Sequence, residues 1–103
     1  MKQVLVRYKV KAQGAAENQR LIEAVFQELQ VRAPAGLQYL VLKLDDGSFV
    51  HFAISQDGAM ALPALEAFKQ FRAELGGRTT EGPQSCEAAI VGNYRMIAAG
   101  AGA

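Results

Sequence analysis

The sequence predicts an α+β fold in which two helices cover one face of a four-stranded antiparallel sheet. Three observations lead there. The hydrophobic periodicity changes along the chain from strand-like to helical, to two strand-like runs, to helical, and back to strand-like. The two central runs flank Asp46-Gly47, a pair that accepts the positive φ angles of a tight hairpin turn. Finally, the strands carry more large apolar side chains than one covered sheet face can use.

Near the start, Val4, Val6, Tyr8 and Val10 alternate with Leu5, Arg7, Lys9 and Lys11, the period of two expected of a strand. Gln13-Gly14 breaks this pattern. From about Ala15 to Ala33, Leu21, Ile22, Val25, Phe26 and Leu29 fall on one helical stripe, with Arg20, Glu23, Gln27, Glu28 and Gln30 opposite; this is an amphipathic helix. Ala33-Pro34-Ala35-Gly36 ends it. The hairpin spans Gly36 to Ser55. Pairing Asp45 with Ser48 across a two-residue turn places Leu40, Leu42, Leu44, Phe49, His51, Ala53 and Ser55 on one face. Tyr39, Val41, Lys43, Val50, Phe52 and Ile54 then share the other.

Gln56 to Ala61 reads as a loop, and Leu62 to Leu75 as a second helix with Pro63 in its first turn. Gly76-Gly77 closes this helix, and Arg78 to Pro83 is a polar connector. The alternation from Ser85 to Ile97 predicts the fourth strand. Ala98 to Ala103 lacks side chains able to bury much area and is expected to be a flexible tail. One domain over residues 1–97 follows, in the ferredoxin-like βαββαβ order. With the helices on one side, Leu5, Leu40, Leu42, Leu44 and Phe49 face away from them. A large apolar side chain gains ~1.5–3 kcal/mol on burial, so a homodimer closing two sheets face to face is expected.

Composition excludes several classes. The chain has 103 residues, 11 Lys and Arg against 10 Asp and Glu, and a net charge of +1. No basic run interleaved with aromatics tracks a phosphate backbone, so no nucleic-acid partner is expected. Cys86 is the only cysteine and His51 the only histidine, too few for a Cys/His zinc site or an internal disulfide. No metal and no cofactor are implied. No stretch approaches the ~20 apolar residues of a membrane span, and Arg7 interrupts the N-terminal apolar run, unlike a signal peptide. The expected setting is cytoplasmic.

The segments Leu5 to Gly14, Gly36 to Tyr39, Leu65 to Lys69 and Val91 to Tyr94 resemble the dimeric α+β barrel superfamily, in particular its antibiotic biosynthesis monooxygenase-like branch. The resemblance covers roughly residues 3–97. It implies a homodimer enclosing a cavity, used by some members for cofactor-independent oxidation of aromatic polyketides and by others for haem degradation. The haem-degrading members use an asparagine, a tryptophan and a histidine at positions that fall here on Arg7, Ser55 and Arg72. None of the three is kept, so haem degradation is not implied.

The candidate catalytic residue is His51, because imidazole titrates near neutral pH. Its alternative reading is a strand histidine satisfied by its neighbours. Arg7, Lys9, Ser55 and Arg72 are candidate ligand-binding residues: the cations suit an anionic or phenolate ligand, and Ser55 shares a face with His51. Tyr8 and Tyr39 read first as core residues, and Cys86 as a small buried hydrophobe. The function these features support is a homodimeric α+β barrel protein acting on a small aromatic or anionic molecule, as a cofactor-independent monooxygenase-like enzyme. The rival is a non-catalytic structural or small-ligand-binding module.

Overall fold

A computed structural model describes residues 1–56 and 61–96 of the chain. Its elements are β1 (Lys2–Val10), α1 (Ala15–Arg32), β2 (Leu37–Lys43), β3 (Ser48–Ser55), α2 (Glu66–Ala73), the one-turn α3 (Leu75–Arg78) and β4 (Thr79–Glu87). The strands form one antiparallel sheet in the order β2-β3-β1-β4. This is the ferredoxin-like α+β arrangement that the alternation of periods predicts. Ile22 and Val25 of α1, Leu65, and Phe71 of α2 pack on Tyr8, Val10, Phe49 and Ala53 of the sheet to form the core.

Helix α1 stops where Pro34 disfavours a helical conformation for the residue before it. Ala33 instead adopts φ 43 and ψ 57 and donates its N–H to the Leu29 carbonyl at 2.8 Å. Helix α2 begins without a capping side chain of its own. Glu28 of α1 supplies one across the helix pair, its carboxylate accepting the Ala67 N–H at 2.8 Å and the Glu66 N–H at 3.3 Å. Those bonds, together with the Arg32 ion pair at 2.7 Å, hold the Glu28 carboxyl below the usual carboxylate range.

The predicted helix from Leu62 to Leu75 is broken into a short turn over Leu62–Ala64, α2 and α3, and two larger features depart from the sequence expectation. The first is the hairpin register. Val41 lies opposite His51 and Leu40 opposite Phe52, and the Leu44 N–H bonds the Ser48 carbonyl at 2.8 Å. The loop is therefore the three residues Asp45-Asp46-Gly47, with Gly47 at φ 87 and the Ser48 N–H donated to the Asp46 carboxylate at 2.8 Å. A turn followed by a left-handed residue suits a three-residue hairpin loop as well as Asp-Gly suits a two-residue one. One extra loop residue shifts the register by one, and that exchanges the faces of an entire strand. Phe49, His51, Ala53 and Ser55 consequently lie under the helices with Tyr39 and Val41. Val50 and Phe52 join Leu40, Leu42 and Leu5 on the face the helices leave open.

The second is the last strand. It spans Thr79–Glu87 rather than 85–97, pairing with β1 from Val10↔Thr79 to Val4↔Glu87, with a final bond from the Ala88 N–H to the Gln3 carbonyl at 3.0 Å. Beyond Ala88 the strand-like alternation pairs with no strand among the described residues. Gly82 and Pro83 are tolerated because β4 is an edge strand and its ladder with β1 shifts register between Arg7 and Lys9. Gly76-Gly77 lies inside α3, and Arg78 ends that turn instead of opening a connector. The expected Ala/Gly tail at 98–103 and most of the 56–61 loop lie outside the described residues.

Candidate small-molecule cavity

Between the helix-covered face of the sheet and α2 lies a cavity of about 510 Å³. Val4, Val6 and Ala53 form its sheet wall, Phe68, Phe71 and Leu75 its helical wall, and Tyr8, Tyr39 and His51 its polar floor. A mostly apolar wall with a few converging polar groups is the usual composition of a small-molecule site.

His51 is 6% exposed and bridges two phenols. Its Nε2 lies 2.8 Å from Tyr8 Oη and its Nδ1 2.5 Å from Tyr39 Oη. The rings are braced as well: Phe71 lies 5.4 Å from the imidazole, Phe26 stacks on Tyr39 at 5.1 Å, and Phe49 stacks on Tyr8 at 5.7 Å. Behind Tyr8 the bonds continue into the protein. The buried Asn18 donates Nδ2–H to Tyr8 Oη at 2.9 Å, and the buried Arg78 donates Nε–H to Asn18 Oδ1 at 3.1 Å. Arg78 is held by a further bond to the Phe71 carbonyl at 2.8 Å, and its guanidinium lies 5.5 Å above the Phe71 ring.

Burial governs the titration of the site. It pushes the His51 imidazole down to about 4, since an imidazolium there would be desolvated. Burial pushes the Tyr8 phenol up to about 12, with the Asn18 hydrogen bond and the Arg78 charge opposing it. The Tyr39 phenol is raised further, first by burial and then by the neighbouring Tyr8. At neutral pH all three groups are uncharged.

Of the candidates from sequence, the structure brings His51 and the exposed Arg72 to the cavity, where Lys2 adds a second exposed cation. Arg7 and Lys9 lie on the opposite face of β1. Arg7 pairs with Asp46 at 3.5 Å and Lys9 lies beside Gly47. Ser55, 2% exposed, shares the His51 face but sits at the strand end opposite Lys2 and Leu37, outside the cavity lining. Cys86 is exposed, opposite Leu5. Among the described residues, no three potential metal ligands cluster.

Sequence reasoning missed Asn18 and Arg78 as site components. Asn18 carries a signal: it precedes Ile22 and Val25 by four and seven residues, a polar side chain on the apolar stripe of α1. Arg78 carries none, because nothing local marks it as buried.

By sequence, the chain matches no family profile and no curated protein. Its fold is shared with several solved structures, some of them designated antibiotic biosynthesis monooxygenases. One is a protein from Mycobacterium tuberculosis, with a TM-score of 0.69 and 20% identity over 88% of this chain and 95% of that one. Another, from Nitrosomonas europaea and provisionally designated an antibiotic biosynthesis monooxygenase, has a TM-score of 0.69 and 16% identity over 86% and 88%. A third with the same provisional designation, from Caulobacter crescentus, has a TM-score of 0.64 and 21% identity over 87% and 89%.

Proposed function

We propose that this chain binds a small aromatic molecule in the cavity and oxidises it with dioxygen, without a cofactor. The observation that carries this reading is the cavity itself: aromatic and aliphatic walls around the neutral Tyr39–His51 pair, with Lys2 and Arg72 at its rim to receive an acidic substituent. The likeness to monooxygenase-like structures supports the same class. In this reading a substrate such as anthrone, an aromatic ketone with a ring CH₂, loses a proton to solvent. The Tyr39–His51 pair stabilises the enolate oxygen. The electron-rich ring then reduces dioxygen, one oxygen atom ending in the quinone and the other in water.

We further propose that the open sheet face, carrying Leu5, Leu40, Leu42, Val50 and Phe52, closes on a second copy of the chain. Leu40 and Leu42 are 48% and 52% exposed on that face, and burying such side chains is worth ~1.5–3 kcal/mol each.

A second reading is a binding protein without turnover. It is favoured by the depressed imidazole and raised phenols, which leave no group on the cavity floor titrating near pH 7. An oxygen electrode with anthrone separates the two. Uptake of one dioxygen per anthrone, reduced at least tenfold in His51→Gln, is expected; anthrone binding without oxygen uptake sinks the oxygenase and leaves the binding protein.

A further inference from the structure

The hydrogen bonds on the cavity floor have a direction, and Arg78 sets it. A guanidinium has donors and no acceptor, so the Arg78 bond requires Asn18 to present Oδ1 to it and Nδ2 to Tyr8. Tyr8 Oη therefore accepts from Asn18. Two arrangements of the remaining protons are then conceivable for a neutral imidazole, which has one N–H and one lone pair.

If Nε2 carried the proton, Tyr8 Oη would accept two N–H bonds. Its own O–H, on a residue that touches the cavity but is only 2% exposed, would have no acceptor among the described residues, whereas Tyr39 is the more exposed of the two phenols. A buried donor left without a partner is strongly disfavoured. If Nδ1 carries it, Tyr8 donates its O–H to Nε2 and His51 donates Nδ1–H to Tyr39 Oη. The Arg78, Asn18, Tyr8 and His51 donors of this chain of bonds then each have an acceptor. The one proton left over is that of the Tyr39 hydroxyl, on a part-buried residue that lines the cavity.

We infer that Arg78, Asn18 and Tyr8 lock His51 as its Nδ1–H tautomer and so make the Tyr39 hydroxyl a hydrogen-bond donor to the cavity, selecting aromatic ligands that carry an acceptor oxygen. The ligand class is that of aryl ketones and quinones. The choice of ligand rests on the binding function proposed above; the tautomer does not. Tyr39 is a specificity-determining residue, and Asn18 and Arg78 are positioning residues that act through Tyr8 and His51.

Because His51 is the only histidine, long-range ¹H–¹⁵N correlation on the ¹⁵N-histidine-labelled protein at pH 7, without ligand, reads the tautomer directly. A protonated Nδ1 with a bare Nε2 is expected; a protonated Nε2 overturns the inference. A second arm measures binding of fluorenone and of fluorene, which has the same rings without the oxygen, to the wild type and to Tyr39→Phe. Fluorenone should bind the wild type about tenfold more tightly than fluorene, the ratio one hydrogen bond supplies, and this preference should vanish in Tyr39→Phe. Equal binding of both probes to the wild type, or a preference that survives Tyr39→Phe, overturns the assigned selectivity. If neither probe binds, the proposed binding function fails, and the tautomer measurement still decides the lock.

Discussion

On the helix-covered face of the sheet, Tyr8, Phe49 and His51 are 2%, 2% and 6% exposed, while on the other face Leu40 and Leu42 of the neighbouring strand are 48% and 52% exposed. Both faces come from the same strands, and both carry apolar side chains. The covered face tolerates polar groups because they find partners: Asn18, Tyr8 and His51 satisfy one another with little surface exposed. The open face pairs Leu5 with Phe52 and Leu42 with Val50, with Arg7 bound to Asp46 at the turn end. The hydrogen-bonded polar groups lie on one face and the exposed leucines on the other.

The sharpest way to break this contrast is to charge the open face. Leu40→Glu with Leu42→Glu should convert a dimer at micromolar concentration into a monomer that keeps its far-ultraviolet circular dichroism, measured by sedimentation equilibrium. A wild type that sediments as a monomer removes the dimer altogether. On the covered face, Phe49→Ala removes the ring stacked on Tyr8 and should cost ~3–5 kcal/mol in urea unfolding, with the oligomeric state of the folded fraction unchanged. A loss below 1 kcal/mol would mean that the covered face is not the main core.

A milder probe is pH. The folded His51 titrates near 4 against an ordinary 6.5, so between these values the unfolded chain binds the extra proton. The stability held by neutral His51 is complete above pH 6.5 and lost as the pH falls toward 4. From pH 7 to 5 the loss should be roughly 2 kcal/mol. The carboxyls of Glu28 and Asp46 are both held low and lose their contribution only at more acidic pH. The slope should therefore be absent from His51→Gln over that window, and an equal slope in both proteins would refute the burial of His51. Smallest of all, Glu28→Gln should lower the melting temperature slightly by weakening the cap on α2, without affecting fluorenone binding. A melting temperature equal to the wild type's would show that the cap contributes nothing measurable.

Much of this architecture was legible in the residues. Val4, Val6, Tyr8 and Val10 announced the covered face of β1, and the stripe from Leu21 to Leu29 announced α1, because each pattern depends only on local periodicity. The hairpin shows where such reasoning stops. Asp46-Gly47 marks the turn correctly, yet whether two or three residues close it decides every face in β3. That choice is made by the ladder with β1 as much as by the turn. The last part of the sequence shows the same limit, for Ile90 to Met96 alternates as a strand should and joins no strand among the described residues.

The sequence by itself determined the order of elements, the two helices over one sheet and the surplus of apolar strand residues, all of which follow from local periodicity and turn chemistry. Only the tertiary structure decided that His51 lies beneath the helices between two tyrosines. Only there does Arg78, 60 residues after Asn18 in the chain, reach it to orient the hydrogen bonds. Burial and long-range register are properties of the packed chain, and no local pattern contains them.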